Sequence, residues 1–220
     1  MAFFTQDFID FFKELSVNNK KEWFDSNRKR YETSIKKPFA EFVQEMIDRI
    51  RADDPTVDIS TKDAIFRINR DIRFSNDKTP YKTHMAALVS AKGKKDKGYP
   101  GMYLQLSADE IRIYGGVHVV DKNVLHRIRK QIAANLEEFS GLLNAKEFQN
   151  KFGEIHGEKN KRIPPEFQAA AEKQPLIFNK GFYYFAKLNR KLLLDEKLAD
   201  VLMQYYQVGK PVNEFFQRAF

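Results

Sequence analysis

The run AIFRINRDIRF, Ala64 to Phe74, decides the fold class, because its apolar period is two where everything before it has the period of a helix. Apolar side chains at every second position mark a strand with one buried face. Written as one strand, the run sets Phe66, Ile68, Ile72 and Phe74 on one side with Arg70 among them, and Arg67, Asn69, Asp71 and Arg73 on the other. Three short β-type runs follow: HMAALVSA from His84, GMYLQLS from Gly101 and EIRIYGGVH from Glu110. The expectation is an antiparallel or mixed sheet over residues 64–118. Between two of its strands, AKGKKDKGYPG, Ala91 to Gly101, suits an exposed hairpin tip whose four lysines stay in water. At Gly115 and Gly116 the missing side chains allow close backbone approach or a positive φ.

Upstream, residues 1–52 read as helices. Phe8, Phe12 and Leu15 share one helical face, and Phe39, Phe42, Val43, Met46, Ile47 and Ile50 repeat the pattern. Asn18 or Asn19 has the chemistry to cap an intervening helix with Trp23, Phe24 and Tyr31 on its apolar face, and Pro38 belongs in the first turn of the next. Downstream, residues 121–220 read as helices plus a late strand. Asp121 has the chemistry of an N-cap for a helix in which Leu125, Ile128, Ile132, Leu136 and Phe139 share one face, with another helix after Ser140. FYYFAKLN, Phe182 to Asn189, returns to strand composition, and Asp195 caps a last helix over Leu198 to Tyr206, with Pro211 opening a short tail. The fold class is therefore α+β, a sheet packed against N-terminal and C-terminal helices, in one domain of residues 1–220.

The chain has 220 residues, with 20 Phe, 9 Tyr and 1 Trp, too much core-forming side chain for a disordered protein. It contains no Cys, which excludes thiol catalysis, disulfides and Cys-based zinc sites. His84, His118, His126 and His156 show no metal-ligand spacing, and no Gly-rich nucleotide fingerprint occurs, so neither a metal nor a cofactor is expected. The N-terminal MAFFTQDFIDFFKEL is broken by charges and lacks the form of a signal peptide, giving a cytoplasmic expectation and no membrane partner.

The formal net charge is +8, and part of that excess is concentrated. Arg67, Arg70, Arg73, Lys78 and Lys82 set five cations against Asp71 and Asp77 within sixteen residues, a local +3. Asn76, Asp77 and Pro80 have turn chemistry, while Tyr81 adds an aromatic beside the lysines. Arginine forks and lysine point charges together suit a phosphate or carboxylate. Arg67, Arg70, Asp71, Arg73, Asp77, Lys78, Tyr81 and Lys82 are thus the candidate ligand-binding residues; no catalytic residue stands out. The competing reading is a scaffold in which the arginines clamp Asp71 and Asp77 to hold the sheet.

The blocks FRINRDIRFSNDKTPYKTHMAA, LSVNNKKEWFDSNRKRYE, GYPGMYLQL and IYGGVH resemble those of an uncharacterised bacterial and fungal conserved domain, of the domain of unknown function 2461 type. Their order matches over nearly the whole chain, and RDxRFSxDKxPYK is the specific element. The resemblance implies a single α+β domain without an established activity, substrate or cofactor. After Gly157 the chain departs from it, since KNKRIPPEFQ matches the family's basic, Pro-Gly-containing stretch only loosely.

Two function classes follow. The first is a domain, binding or enzymatic, that takes an anionic small molecule in a cationic pocket at the sheet edge. The alternative is a nucleic-acid-associated module using Arg28 to Arg30, Lys92 to Lys97 and Lys159 to Arg162, or a structural and protein-interaction domain. The basic pieces fall on several elements, which weakens the nucleic-acid reading. Oligomeric state is not encoded in any feature of the chain.

Overall fold

The computed structural model describes Met1 to Phe220. It is an α+β structure with one four-stranded antiparallel sheet, β1 His84–Val89, β2 Met102–Ser107, β3 Glu110–Val117 and β4 Phe182–Asn189, in the spatial order β1-β2-β3-β4. Burial alternates along β2, β3 and most of β4, as it must when one face packs on a core and the other stays half open. The chain divides into two compact units: Met1–Lys94 with Tyr103–Ile113 and Lys187–Met203, and Lys95–Met102 with Tyr114–Ala186 and Gln204–Phe220. No helix is long and apolar enough to cross a membrane.

In the first unit, α1 Gln6–Val17 buries Phe8, Ile9, Phe11, Phe12 and Leu15, as the helical spacing requires. α2 Lys21–Ser26 and α3 Arg28–Arg30 follow, and α3 runs through a π-helical segment, Tyr31–Lys36, into α4 Lys37–Asp53. Pro38 accounts for the widened turn: it has no N–H to donate and its ring would crowd the carbonyl four residues back. α4 buries Phe39, Phe42, Val43, Met46, Ile47 and Ile50. A short α5, Thr61–Ala64, opens with a capping box between Ser60 and Asp63. Each buried phenylalanine contributes about 2 kcal/mol by area, and edge-on pairs such as Phe8 and Phe12, centroids 5.1 Å apart, add to that. Arg30 ties α3 to α1 by donating from Nε to Asp7 at 2.8 Å and from Nη1 to Glu14 at 2.8 Å.

In the second unit, α6 Lys122–Ala134 starts at Asp121, whose Oδ1 accepts from the N–H groups of Asn123 and Val124 at 2.7 and 3.0 Å. The expected single helix through Phe139 is two, broken at Asn135: α7 Leu136–Asn144 buries Phe139, and α8 Lys146–Phe152 and α9 Gln168–Lys173 complete a helical cover. Their apolar faces meet Val117, Phe182, Tyr184 and Ala186 in one core with Phe215 and Phe216 of α10, Leu198–Gln217. The expected tail at Pro211 is not there: α10 continues through it. Burying Val212, Phe215 and Phe216 offsets the roughly 3 kcal/mol that a mid-helix proline costs.

The two glycines of IYGG have separate purposes. A Cβ on Gly115 would fall 2.3 Å from Cζ and Oη of Tyr184, so Gly115 makes the space that this buried ring fills. Gly116 has φ +78°, and a Cβ there would lie 2.2 Å from the carbonyl oxygen of Phe182.

Candidate functional site

The run that opened the sequence reading is not one strand. Single antiparallel bridges pair Ile65 with Ala87 and Asn69 with Tyr81, and backbone bonds join Phe66 to Ala86, Lys82 to Ile68 and Arg70 to Pro80 at 2.8–2.9 Å. Between the bridges one side has more residues than the other, so the chain bulges near Lys82 and Thr83 before entering β1. Beyond Arg70 the pairing ends, because Asn76, Asp77 and Pro80 turn the chain back. Phe74, expected on the apolar face, is 97% exposed.

Arg70 stands at the last paired position, on the side it shares with Phe66 and Ile68. It is half-buried, and its Nη1 donates to Asp77 and to the Thr79 hydroxyl. Asp77 also accepts from the Thr79 N–H and Oγ1, each at 2.9 Å, and these bonds together with Arg70 hold its carboxyl down at about 2. Arg73 grips Asp71 with two bonds of 3.0 and 2.7 Å. Lys78 donates to the carbonyl of Ile72 at 3.0 Å. Tyr81 is buried, stacked 4.0 Å from Phe24. Its backbone is held on both sides by Asn19, which donates from Nδ2 to the Tyr81 carbonyl at 2.9 Å and accepts from its N–H at 3.1 Å. Arg67 is exposed, and Lys82 reaches over the ring of Phe66 with Nζ 5.5 Å from its centroid.

Several expectations need correcting here. Neither Asn18 nor Asn19 caps α2: Asn18 donates to the Glu14 carbonyl at the end of α1, and Asn19 is the long-range clamp on Tyr81. The apolar face of α2 is as expected, with Trp23 packed on Phe11 at 5.5 Å and Phe24 against the motif. The Lys-rich connection is not wholly solvated. Lys94 donates to the carbonyls of Lys62 and Ile65, which close α5.

Lys82 leads onto a group that sequence reasoning did not assemble. In the first unit, the half-buried face of the sheet carries His84 on β1, Tyr103 and Gln105 on β2, and Glu110 and Arg112 on β3. The two-residue turn Ala108–Asp109, bound through Ser107 Oγ to Glu110, fixes the register and sets Gln105 opposite Arg112. Phe66 and Tyr103 form a ring pair 5.9 Å apart, and Glu110 takes an ion pair from Arg112 and a longer one, 3.8 Å, from Lys187. Burial, reinforced by the charges of Lys82 and Arg112, pushes His84 from 6.5 down to about 4. The imidazole is therefore neutral near pH 7, with one nitrogen to donate and one to accept. The clue was present in the alternate polar positions of YLQLS and EIRIY, which leave one sheet face undersupplied with apolar side chains.

This histidine has a measurable consequence. Below pH 6.5 the unfolded chain takes a proton at His84 that the folded chain refuses until about pH 4. The stability it provides is complete above 6.5 and is lost as pH falls towards 4, by about 2 kcal/mol after allowing for partial solvent exposure. His84→Gln should remove that loss, so thermal melts of variant and wild type should converge, or cross in the variant's favour, between pH 6.5 and 4.

The second unit holds a buried guanidinium. Arg129 of α6 donates to the carbonyls of Ile177 at 2.9 Å and Asn179 at 3.1 Å, and burial pushes its pKa down with no carboxylate opposing the shift. Asn179 is buried beside it.

A search of curated proteins finds no match. Residues 7–215 match the family described as conserved hypothetical protein DUF2461, a span that includes the motif hairpin, all four strands and the helices on either side of them, and the chain belongs to that family.

Proposed function

We propose that the protein binds an anionic small molecule, phosphate- or carboxylate-bearing, on the half-buried sheet face of its first unit. The observation that carries this is the grouping of Lys82 and Arg112 beside neutral His84, with Lys187 joined to Arg112 through the Glu110 carboxylate. Cations grouped in this way attract an anion, in surroundings where part of the solvent screening is removed. Phe66 and Tyr103 supply a ring wall, and His84 a directional hydrogen bond. Of the eight hairpin candidates, Lys82 contributes directly. Arg70 with Asp77 and Arg73 with Asp71 hold the hairpin that delivers it, while Tyr81 anchors that hairpin on Phe24.

Calorimetric titration with inorganic phosphate, a phosphate monoester and a tricarboxylate tests the reading. At least one should bind, and Arg112→Gln should weaken it about tenfold or more, the worth of one charged hydrogen bond. If none of the three binds the wild type, the reading fails.

A further inference from the structure

The second unit carries a row of rings outside the anion site. Tyr183 and Phe185 alternate along β4 with Phe182, Tyr184 and Ala186, which are buried in the core, and so stand on the opposite, half-buried face. Phe185 is flanked by Tyr114 of β3 at 5.4 Å and 28°, and by His156 at 5.0 Å and 39°. His156 is held in place by a backbone bridge to Tyr183 and lies 5.8 Å from that ring at 35°, while exposed His118 meets Tyr183 edge-on at 5.0 Å. Three of these four contacts are closer to parallel than to perpendicular, so neighbouring rings lean face towards face along a continuous row. Packing of the core explains the inward positions of β4. It does not explain why Tyr114 of β3, Tyr183 and Phe185 of β4 and His156 of the bridged segment bring four rings together on the half-buried face.

The charge beside the row is positive. Lys159, Lys161 and Arg162 continue the segment that begins at His156, are exposed, and form no ion pair. Of the neighbouring carboxylates, Glu158 pairs with Lys180 at 3.3 Å, and Glu154 lies 4.0 Å from Nδ1 of His156. A sugar alone would call for free carboxylates or amides at its hydroxyls. A flat heterocycle attached to a phosphate matches rings beside unpaired cations. The two histidines add donors and acceptors that can meet the edge of a base.

We propose that the row Tyr114, Phe185, His156 and Tyr183 is a stacking platform for a nucleobase, borne by a free nucleotide or by a single strand, with Lys159, Lys161 and Arg162 receiving phosphate. Cross-strand aromatic pairs also stabilise sheets without binding anything, so the test must separate ligand contact from fold.

Aromatic proton–carbon NMR spectra of the full chain, titrated with adenosine, AMP, ribose 5-phosphate and a short oligoadenylate, make that separation. Adenosine and AMP at millimolar concentration should move the resonances of Tyr114, His156 and Phe185 upfield, and ribose 5-phosphate should not. Phe185→Leu should weaken AMP binding about five- to 150-fold, the range of one base stacked on one ring, with the circular dichroism spectrum retained. His156→Ala, at a position nearer solvent, should weaken it in the same direction and serves if the first variant does not fold. Oligoadenylate binding more tightly than AMP assigns the base to a strand, and equal affinity to a free nucleotide; either result supports the platform. Ring resonances that ignore all four probes, or that move equally with ribose 5-phosphate, overturn it.

Discussion

Gly115→Ala is expected to lower the melting temperature by about 6 °C or more. The new Cβ would stand 2.3 Å from two atoms of the Tyr184 ring, which is itself enclosed: a Cβ on Gly209 of α10 would lie 2.5 Å from the same hydroxyl. That hydroxyl lies 2.8 Å from the Gly209 carbonyl, to which it donates, and 3.0 Å from Oδ1 of Asn213, which in turn accepts from the Gly116 N–H at 2.7 Å. Displacing the ring therefore adds unpaired buried polar groups to overpacking. Each mechanism costs about 1–3 kcal/mol, and together about 3 kcal/mol or more. A chain of this length loses about 2–4 °C per kcal/mol. The double variant Gly115→Ala with Tyr184→Leu should recover part of the loss, because leucine vacates the ring position. Additive losses in thermal melts would show that the ring is not what Gly115 accommodates.

Arg129→Ala should cost about 2–4 kcal/mol. The guanidinium bridges the carbonyls of Ile177 and Asn179, about fifty residues along the chain from it, and so fastens the turn before β4 to α6. Removing it leaves both carbonyls without a donor in a buried setting, at about 1–3 kcal/mol each before water enters. Arg129→Lys should rescue little, since an ammonium on a flexible stem does not reproduce a planar fork reaching two acceptors. Lys130→Ala, one residue on and exposed, should stay within about 0.5 kcal/mol. Denaturant midpoints check all three. An Arg129→Ala protein as stable as Lys130→Ala would mean that the bridge carries no weight.

What the sequence disclosed, and what it hid, divides along the range of the interactions. The apolar faces of α1 and α4, the Asp121 cap and the bounds of β4 follow from neighbours within a few positions, where periodicity and capping chemistry operate. Asn19 was misread because an asparagine before a helix looks the same whether it caps that helix or holds Tyr81 from 62 residues away. Phe74 was misplaced because alternation alone cannot register that the pairing ends at Arg70, where Asp77 and Pro80 turn the chain back. The helix through Pro211 was missed because local propensity gives no weight to the core contacts of Phe215 and Phe216. At the proposed anion site, Lys82 was legible from its place in the motif. His84, Gln105 and Arg112 were not, since only the pairing of three strands brings them side by side.

The central claim is that an anion is held on the sheet face by Lys82 and Arg112 beside His84. The most direct measurement follows the His84 imidazole by NMR at neutral pH while inorganic phosphate or a phosphate monoester is added. A bound anion beside it should shift both ring resonances, raise the low pKa of His84 by placing a negative charge among the cations, and lose both effects in Arg112→Gln. A His84 that keeps its resonances and its titration unchanged up to saturating anion, in a folded wild-type protein, would contradict the account.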